Sequence, residues 1–161
     1  MDPHGRLRSR VIRSEKAVPT SDPQIVLNVT EGRRHSARSL GINQLAFGCR
    51  DVFAVVRRLR DAGVGLLEVP ENYYDDLAAR FDLPAAVLER LKEHDVMYDR
   101  DAAGNELLHV YTRFVAGRFY VEVLHRIGDY AGFGSPNTPV RLTAQTAQGT
   151  DARPVPVPAQ T

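Results

Sequence analysis

The sequence has no tryptophan, two methionines and a single cysteine, Cys49. One thiol cannot close an internal disulfide, so a disulfide-stapled secreted scaffold is excluded and a reducing, cytoplasmic compartment fits. Long apolar runs are missing as well. No stretch approaches the roughly 18 to 20 consecutive apolar residues that a membrane-crossing helix needs. The charged start MDPHGRLRSR has no apolar segment behind it to make a secretory signal. An excess of either charge is also lacking: 21 basic residues stand against 20 acidic ones in 161 residues. What remains is 43% hydrophobic and 25% charged, the proportions of a soluble globular protein of about one domain.

The balanced charge is unevenly spread. Residues 1–38 hold eight Arg or Lys and four Asp or Glu, and the rest of the chain is net acidic. A basic arm raises the question of nucleic acid. Yet Arg6, Arg8 and Arg10 alternate with Leu7, Ser9 and Val11, which is how one solvated face of a strand reads. No aromatic stacking surface accompanies them, so neither nucleic acid nor a membrane is expected as a partner.

Two short strands are expected in this first region, Leu7 to Arg13 and Gln24 to Val29, separated by a proline-containing turn and followed by a polar loop. From residue 39 to 126 the patterning is strong throughout. Ile42 to Phe47 reads as a strand. Asp51 to Ala62 reads as a helix, with Val52, Val55, Val56 and Leu59 at one-face spacing. Gly65 to Val69 reads as a short strand, Pro70 to Tyr74 as a turn and Asp75 to Phe81 as a short helix. Asp82 is placed to cap another helix, with Pro84 in its first turn and Val87, Leu88 and Leu91 facing inward. Three strands follow: Val96 to Asp99, Leu107 to Thr112 and Arg118 to Arg126. Their connections contain Gly104 and Gly117, as hairpin turns often do. The order is strand, helical crossover and three hairpin-linked strands, a βαβββ unit. Residues 127–148 form a short segment rich in glycine and aromatics at its start, with some order expected from Val140 to Gln145. Residues 149–161, GTDARPVPVPAQT, read as a disordered, proline-rich tail.

Most familiar chemical motifs are absent. There is no phosphate-binding glycine loop, no paired-cysteine zinc pattern and no HExxH. Cys49 is best read as an inert thiol beside a strand end. Of the five histidines, His109 lies on a strand whose Leu107, His109 and Tyr111 share one face. Glu122 is more informative. It sits in FYVEVL among apolar and aromatic neighbours, and shares a face with Tyr120 and Leu124. If that face is buried, the carboxylate needs a pairing partner, hydrogen bonds or a metal. A water-facing side of the sheet or a strand-to-strand ion pair is the plainer alternative.

The stretches NYYDDLAARFDLP, LERLKEHDVMYDRD, LLHVYT and GRFYVEVLHR resemble the C-terminal part of 4-hydroxyphenylpyruvate dioxygenase. The resemblance runs from about Gly5 to Gln145 and is strongest to the dioxygenase-like domain that some bacteria fuse behind 3-dehydroshikimate dehydratase. It implies an α+β vicinal oxygen chelate fold: one complete βαβββ module, preceded by the last two strands of another within residues 1–38. It also implies descent from Fe(II)-dependent oxidation of an aromatic 2-oxo acid. The family holds its iron with two His and one Glu. Carried over, the Glu ligand falls on Glu122. The position of the second His is occupied by Gln44, and the first His belongs upstream of Gly5, leaving the metal site incomplete or degenerate. The cofactor is then Fe(II) or another divalent metal, or none. His109 falls near the substrate, and Phe133, within Gly132-Phe133-Gly134, falls in the segment that leads to the lid of the site. If Met1 is the true start, the chain opens within a module, and a homodimer or an upstream domain in trans would complete it. The alternative is a non-catalytic binding or assembly module.

Overall fold

The computed structural model describes residues 7–12, 24–30, 42–115 and 117–148. The expected turn before residue 24, all of the expected polar loop from Thr30 to Ser39 except Thr30 itself, and the proline-rich tail lie outside the described residues. The chain divides into two compact units, Met1–Gly41 and Ile42–Thr161. In the first, β1 (Leu7–Ile12) and β2 (Ile25–Thr30) form an antiparallel pair in which Arg10 faces Leu27 and Ile12 faces Ile25. The arginine-bearing segment is thus a strand. Ile12 and Ile25 are exposed within this unit.

The second unit is the βαβββ module. It runs through β3 (Gln44–Gly48), α1 (Val52–Asp61), α2 (Glu71–Arg80), α3 (Ala85–Glu93), β4 (Met97–Arg100), β5 (Glu106–Tyr111), β6 (Tyr120–Ile127) and α4 (Thr138–Gln148). Its four strands lie in the order β3-β6-β5-β4. The crossover makes β3 parallel to β6, while the hairpins make the other pairs antiparallel. Asp51 starts α1 by accepting the Ala54 amide at 3.0 Å. The helix lies against β5 and β6. Val52 and Val56 are fully buried there with Leu108, Val110 and Val123, each valine contributing about 2 kcal/mol by burial.

The crossover differs from expectation in four places. Gly65 to Val69 forms no strand; a lone bridge joins Leu66 to Thr112. The segment after Pro70 is helix, not turn. Pro70 fixes an extended entry (φ −58°, ψ 141°), and α2 starts at once, burying Tyr73, Tyr74 and Leu77. Pro84 plays the same part for α3, so Asp82 is not its cap. Of the three residues expected to face inward from α3, Leu91 is fully buried but Val87 is 39% exposed. At the other end of the module, the order expected from Val140 to Gln145 is a full helix, α4.

Alternation sorts the sheet residues onto two faces. Leu108, Val110 and Val123 face α1. Leu107, His109, Tyr111, Tyr120, Glu122 and Leu124 face the other way, together with Gln44, which stands opposite Tyr120. That second face is covered by the chain from Tyr130 through a 3-10 turn (Ser135–Asn137) into α4. No described helix is long and apolar enough to cross a membrane.

Candidate functional site

The covered face carries a buried polar network centred on Glu122. Register places Glu122 beside Tyr111 and His109 beside Leu124, so His109 and Glu122 are diagonal neighbours on adjacent strands. His109 is fully buried and Glu122 is 6% exposed. His109 Nδ1 lies 2.7 Å from Glu122 Oε1. On the other side Gln44 donates from Nε2 to Glu122 Oε2 at 2.6 Å, across the parallel β3–β6 pair. Glu122 is therefore neither water-facing nor bare: its two oxygens meet two N–H groups from neighbouring strands.

A second layer holds these donors. The Tyr120 hydroxyl donates to Gln44 Oε1 at 2.9 Å and itself accepts from Arg141 Nη1 at 2.9 Å. Arg141 also donates to Gln145 Oε1 one turn on in α4, at 2.7 Å, and its guanidinium lies within 5.5 Å of the Tyr111 and Tyr120 ring centres. Asn137 approaches His109 Nε2 at 2.9 Å. The Tyr111 hydroxyl lies 3.1 Å from His109 Nδ1.

Burial of Glu122 works against its charge. Hydrogen bonding from His109 and from the Tyr111 hydroxyl, together with the Arg141 charge, outweighs that cost and holds the carboxyl below the usual glutamate range. Burial, followed by the Glu122 charge, pushes the Tyr111 phenol well above its ordinary value. Burial likewise raises the Cys49 thiol, which suits an inert residue rather than a nucleophile.

The residues singled out from sequence meet different fates. Glu122, Gln44 and His109 come together. Phe133 is 46% exposed; its neighbour Gly134 faces His109 instead. Tyr120, Arg141 and Asn137 join the network without having been expected. Tyr120 had a signal in its place two residues before Glu122. Arg141 and Asn137 arrive from the covering segment and had none.

Iron, which the resemblance implies, does not suit this donor set. Both Glu122 oxygens are engaged by the chain's own donors. Gln44 turns its NH₂ towards the carboxylate and its carbonyl towards Tyr120, so no Gln44 lone pair is aimed beside Glu122. Among the described residues, no group of three or more His, Cys, Asp or Glu side chains stands together as a metal site.

The four-stranded βαβββ sheet, with an interior face bearing Glu122, defines a vicinal oxygen chelate module. No family model matches the sequence. Comparison with known proteins is more specific. The chain is 47% identical to 3-dehydroshikimate dehydratase of Pseudomonas aeruginosa over 150 residues, covering 89% of this chain and 23% of the relative. It is 35% identical to 4-hydroxyphenylpyruvate dioxygenase of the same organism over 99 residues, covering 60% of this chain and 27% of that enzyme. Among solved structures, a xylose isomerase-like TIM barrel/4-hydroxyphenylpyruvate dioxygenase fusion protein superposes with a TM-score of 0.64 at 51% identity, over 66% of this chain and 17% of that one. Over part of their length, the homologues of the chain thus include 3-dehydroshikimate dehydratase and 4-hydroxyphenylpyruvate dioxygenase. It spans about a quarter of the length of the curated relatives it matches.

Proposed function

We propose that this dioxygenase-related domain works without iron, as a folded binding or assembly module and not as an oxygenase. The observation that supports this reading is the state of Glu122. A carboxylate that serves as a metal ligand must leave a lone pair free for the cation. Here Gln44 and His109 each turn an N–H towards one of its oxygens, so a cation reaching the remaining lone pairs meets donor hydrogens from both neighbours where it needs ligand atoms. Assembly finds support at β3, an edge strand of the sheet. Ile42, just before it, is 76% exposed, and Phe47 within it is 57% exposed. An apolar edge of this kind suits an upstream domain in trans or a second copy.

Calorimetric titration with Co(II), Mn(II) and anaerobic Fe(II) tests the iron-free reading, together with oxygen uptake in the presence of 4-hydroxyphenylpyruvate. The expected result is no binding in the micromolar range and no uptake. Micromolar binding that disappears in Glu122→Ala, or oxygen consumption by the unaltered protein, overturns it. The competing reading is an Fe(II) oxygenase whose missing ligands come from another chain and whose substrate is an aromatic 2-oxo acid. It is favoured by the retention of Glu122, and requires that carboxylate to be released by both donors.

A further inference from the structure

Asn137 is 1% exposed and lies in the turn that leads into α4. Its side-chain nitrogen is 3.0 Å from the Tyr98 carbonyl oxygen and 2.9 Å from His109 Nε2, and its Oδ1 accepts from the Tyr73 hydroxyl at 3.2 Å. A backbone carbonyl only accepts, so the atom facing Tyr98 is the amide nitrogen. This settles which way the amide points. Its second N–H is then directed at His109 Nε2, and that ring nitrogen must be bare. In a neutral imidazole the proton then sits on Nδ1, the atom 2.7 Å from Glu122.

We propose that Asn137 sets the tautomer of His109, so that the ring turns an N–H and not a lone pair towards Glu122 and cannot join that carboxylate in holding a cation. Asn137 acts here as a positioning residue, through the imidazole. The ring has little freedom to turn away. A Cβ placed on Gly134 would stand 2.6 Å from His109 Cε1, which shows how closely the covering backbone presses on it. It follows that the glutamine at position 44 is not the sole barrier to metal. A cation at Glu122 must also stand against an N–H that the covering segment holds in place. This inference rests on the iron-free reading but makes a separate claim, that His109 and Asn137 are the lock.

Long-range nitrogen–proton correlation spectroscopy on the nitrogen-labelled full chain tests it, with the His109 signals assigned by their loss in His109→Gln. The expected pattern at neutral pH is a protonated Nδ1 and a bare Nε2, unchanged by excess Zn(II). An Nε2-protonated ring, a doubly protonated ring or rapid exchange between tautomers overturns the proposal. In Gln44→His the same pattern should persist with Zn(II) present; metal-induced shifts of the His109 nitrogens in that variant also overturn it. In Asn137→Asp an acceptor replaces the donor, and the bare-Nε2 signature should vanish; its retention counts against the proposal. If that variant does not fold, the tautomer of the unaltered chain decides alone. Zn(II) uptake by the unaltered chain that is lost in Glu122→Ala would sink the iron-free reading itself. Uptake confined to Gln44→His would sink only the tautomer lock.

Discussion

Glu122 carries its charge among buried neighbours, and that has a consequence for acid stability. A carboxyl whose folded-state value lies below its unfolded one stabilises the fold where it is ionised. Its contribution is complete above the ordinary glutamate range, about pH 4.3, and is lost as the pH falls through the lower folded-state value. Glu122→Gln should be less stable than the natural chain by about 2 kcal/mol at neutral pH, because an uncharged amide cannot accept both donors as well. The difference should shrink on acidification below about pH 4. Urea denaturation measured across pH checks this, and parallel curves for the two proteins would show that Glu122 is not ionised in the fold. At this scale the sequence was legible wherever strand alternation applied. A carboxylate flanked by Val121 and Val123 stands out, and period two places His109 on a determinable face. Asn137 and Arg141 lack any such marker. They are polar residues in a segment that follows the sheet, and only the packing of that segment turns them inward.

Helix α4 and the turn before it cover the sheet because Gly134 lets the chain pass close to His109. Gly134 has φ +61°, and an added Cβ would meet His109 Cε1 at 2.6 Å and Leu107 Cδ2 at 3.0 Å. Gly104 also has a positive φ (+88°), but nothing lies within 4 Å of its Cβ position. The two glycines therefore separate backbone strain from packing. Gly104→Ala should cost about 1 kcal/mol, from the left-handed backbone alone. Gly134→Ala should cost about 3 kcal/mol, because the covering segment must also lift. Equal thermal shifts for the two variants would mean that the segment does not press on His109. The helices show why elements differ in legibility. Helix α1 combines a capping aspartate with a clear apolar stripe and was readable almost to the residue. Helix α2 was started late because Pro70 reads locally as a turn, yet the same fixed φ also opens a helix. Helix α4 was only partly visible, since Thr138, Val140, Thr143 and Thr146 are modest helix formers that tertiary contact with Tyr120 helps to hold.

Across the whole molecule, tyrosines link the covering elements to the sheet. The Tyr73 hydroxyl in α2 accepts the Tyr98 amide of β4 at 2.8 Å and reaches Asn137, while Tyr120 joins Gln44 of β3 to Arg141 of α4. The Tyr98 and Tyr130 hydroxyls donate to the carboxylates of Glu106 and Asp99. All six tyrosines of the sequence have phenols raised above the ordinary value, with burial the first cause in each. A raised folded-state value means that the fold binds the phenolic proton more tightly than the unfolded chain does. The associated stability is complete below the ordinary tyrosine range, near pH 10, and is lost as the pH climbs towards the folded-state values. Ultraviolet absorbance should therefore show little phenolate near pH 10 while the protein is folded. Phenolate should then appear in one cooperative step, together with the loss of the far-ultraviolet circular dichroism signal. A Tyr111 or Tyr120 phenol titrating near pH 10 in protein that keeps that signal, identified by its loss in the corresponding Tyr→Phe variant, would mean that the sheet face under α4 is open to water. The buried network around Glu122 would then lose its main physical support, since low exposure on that face is what makes each of its hydrogen bonds count.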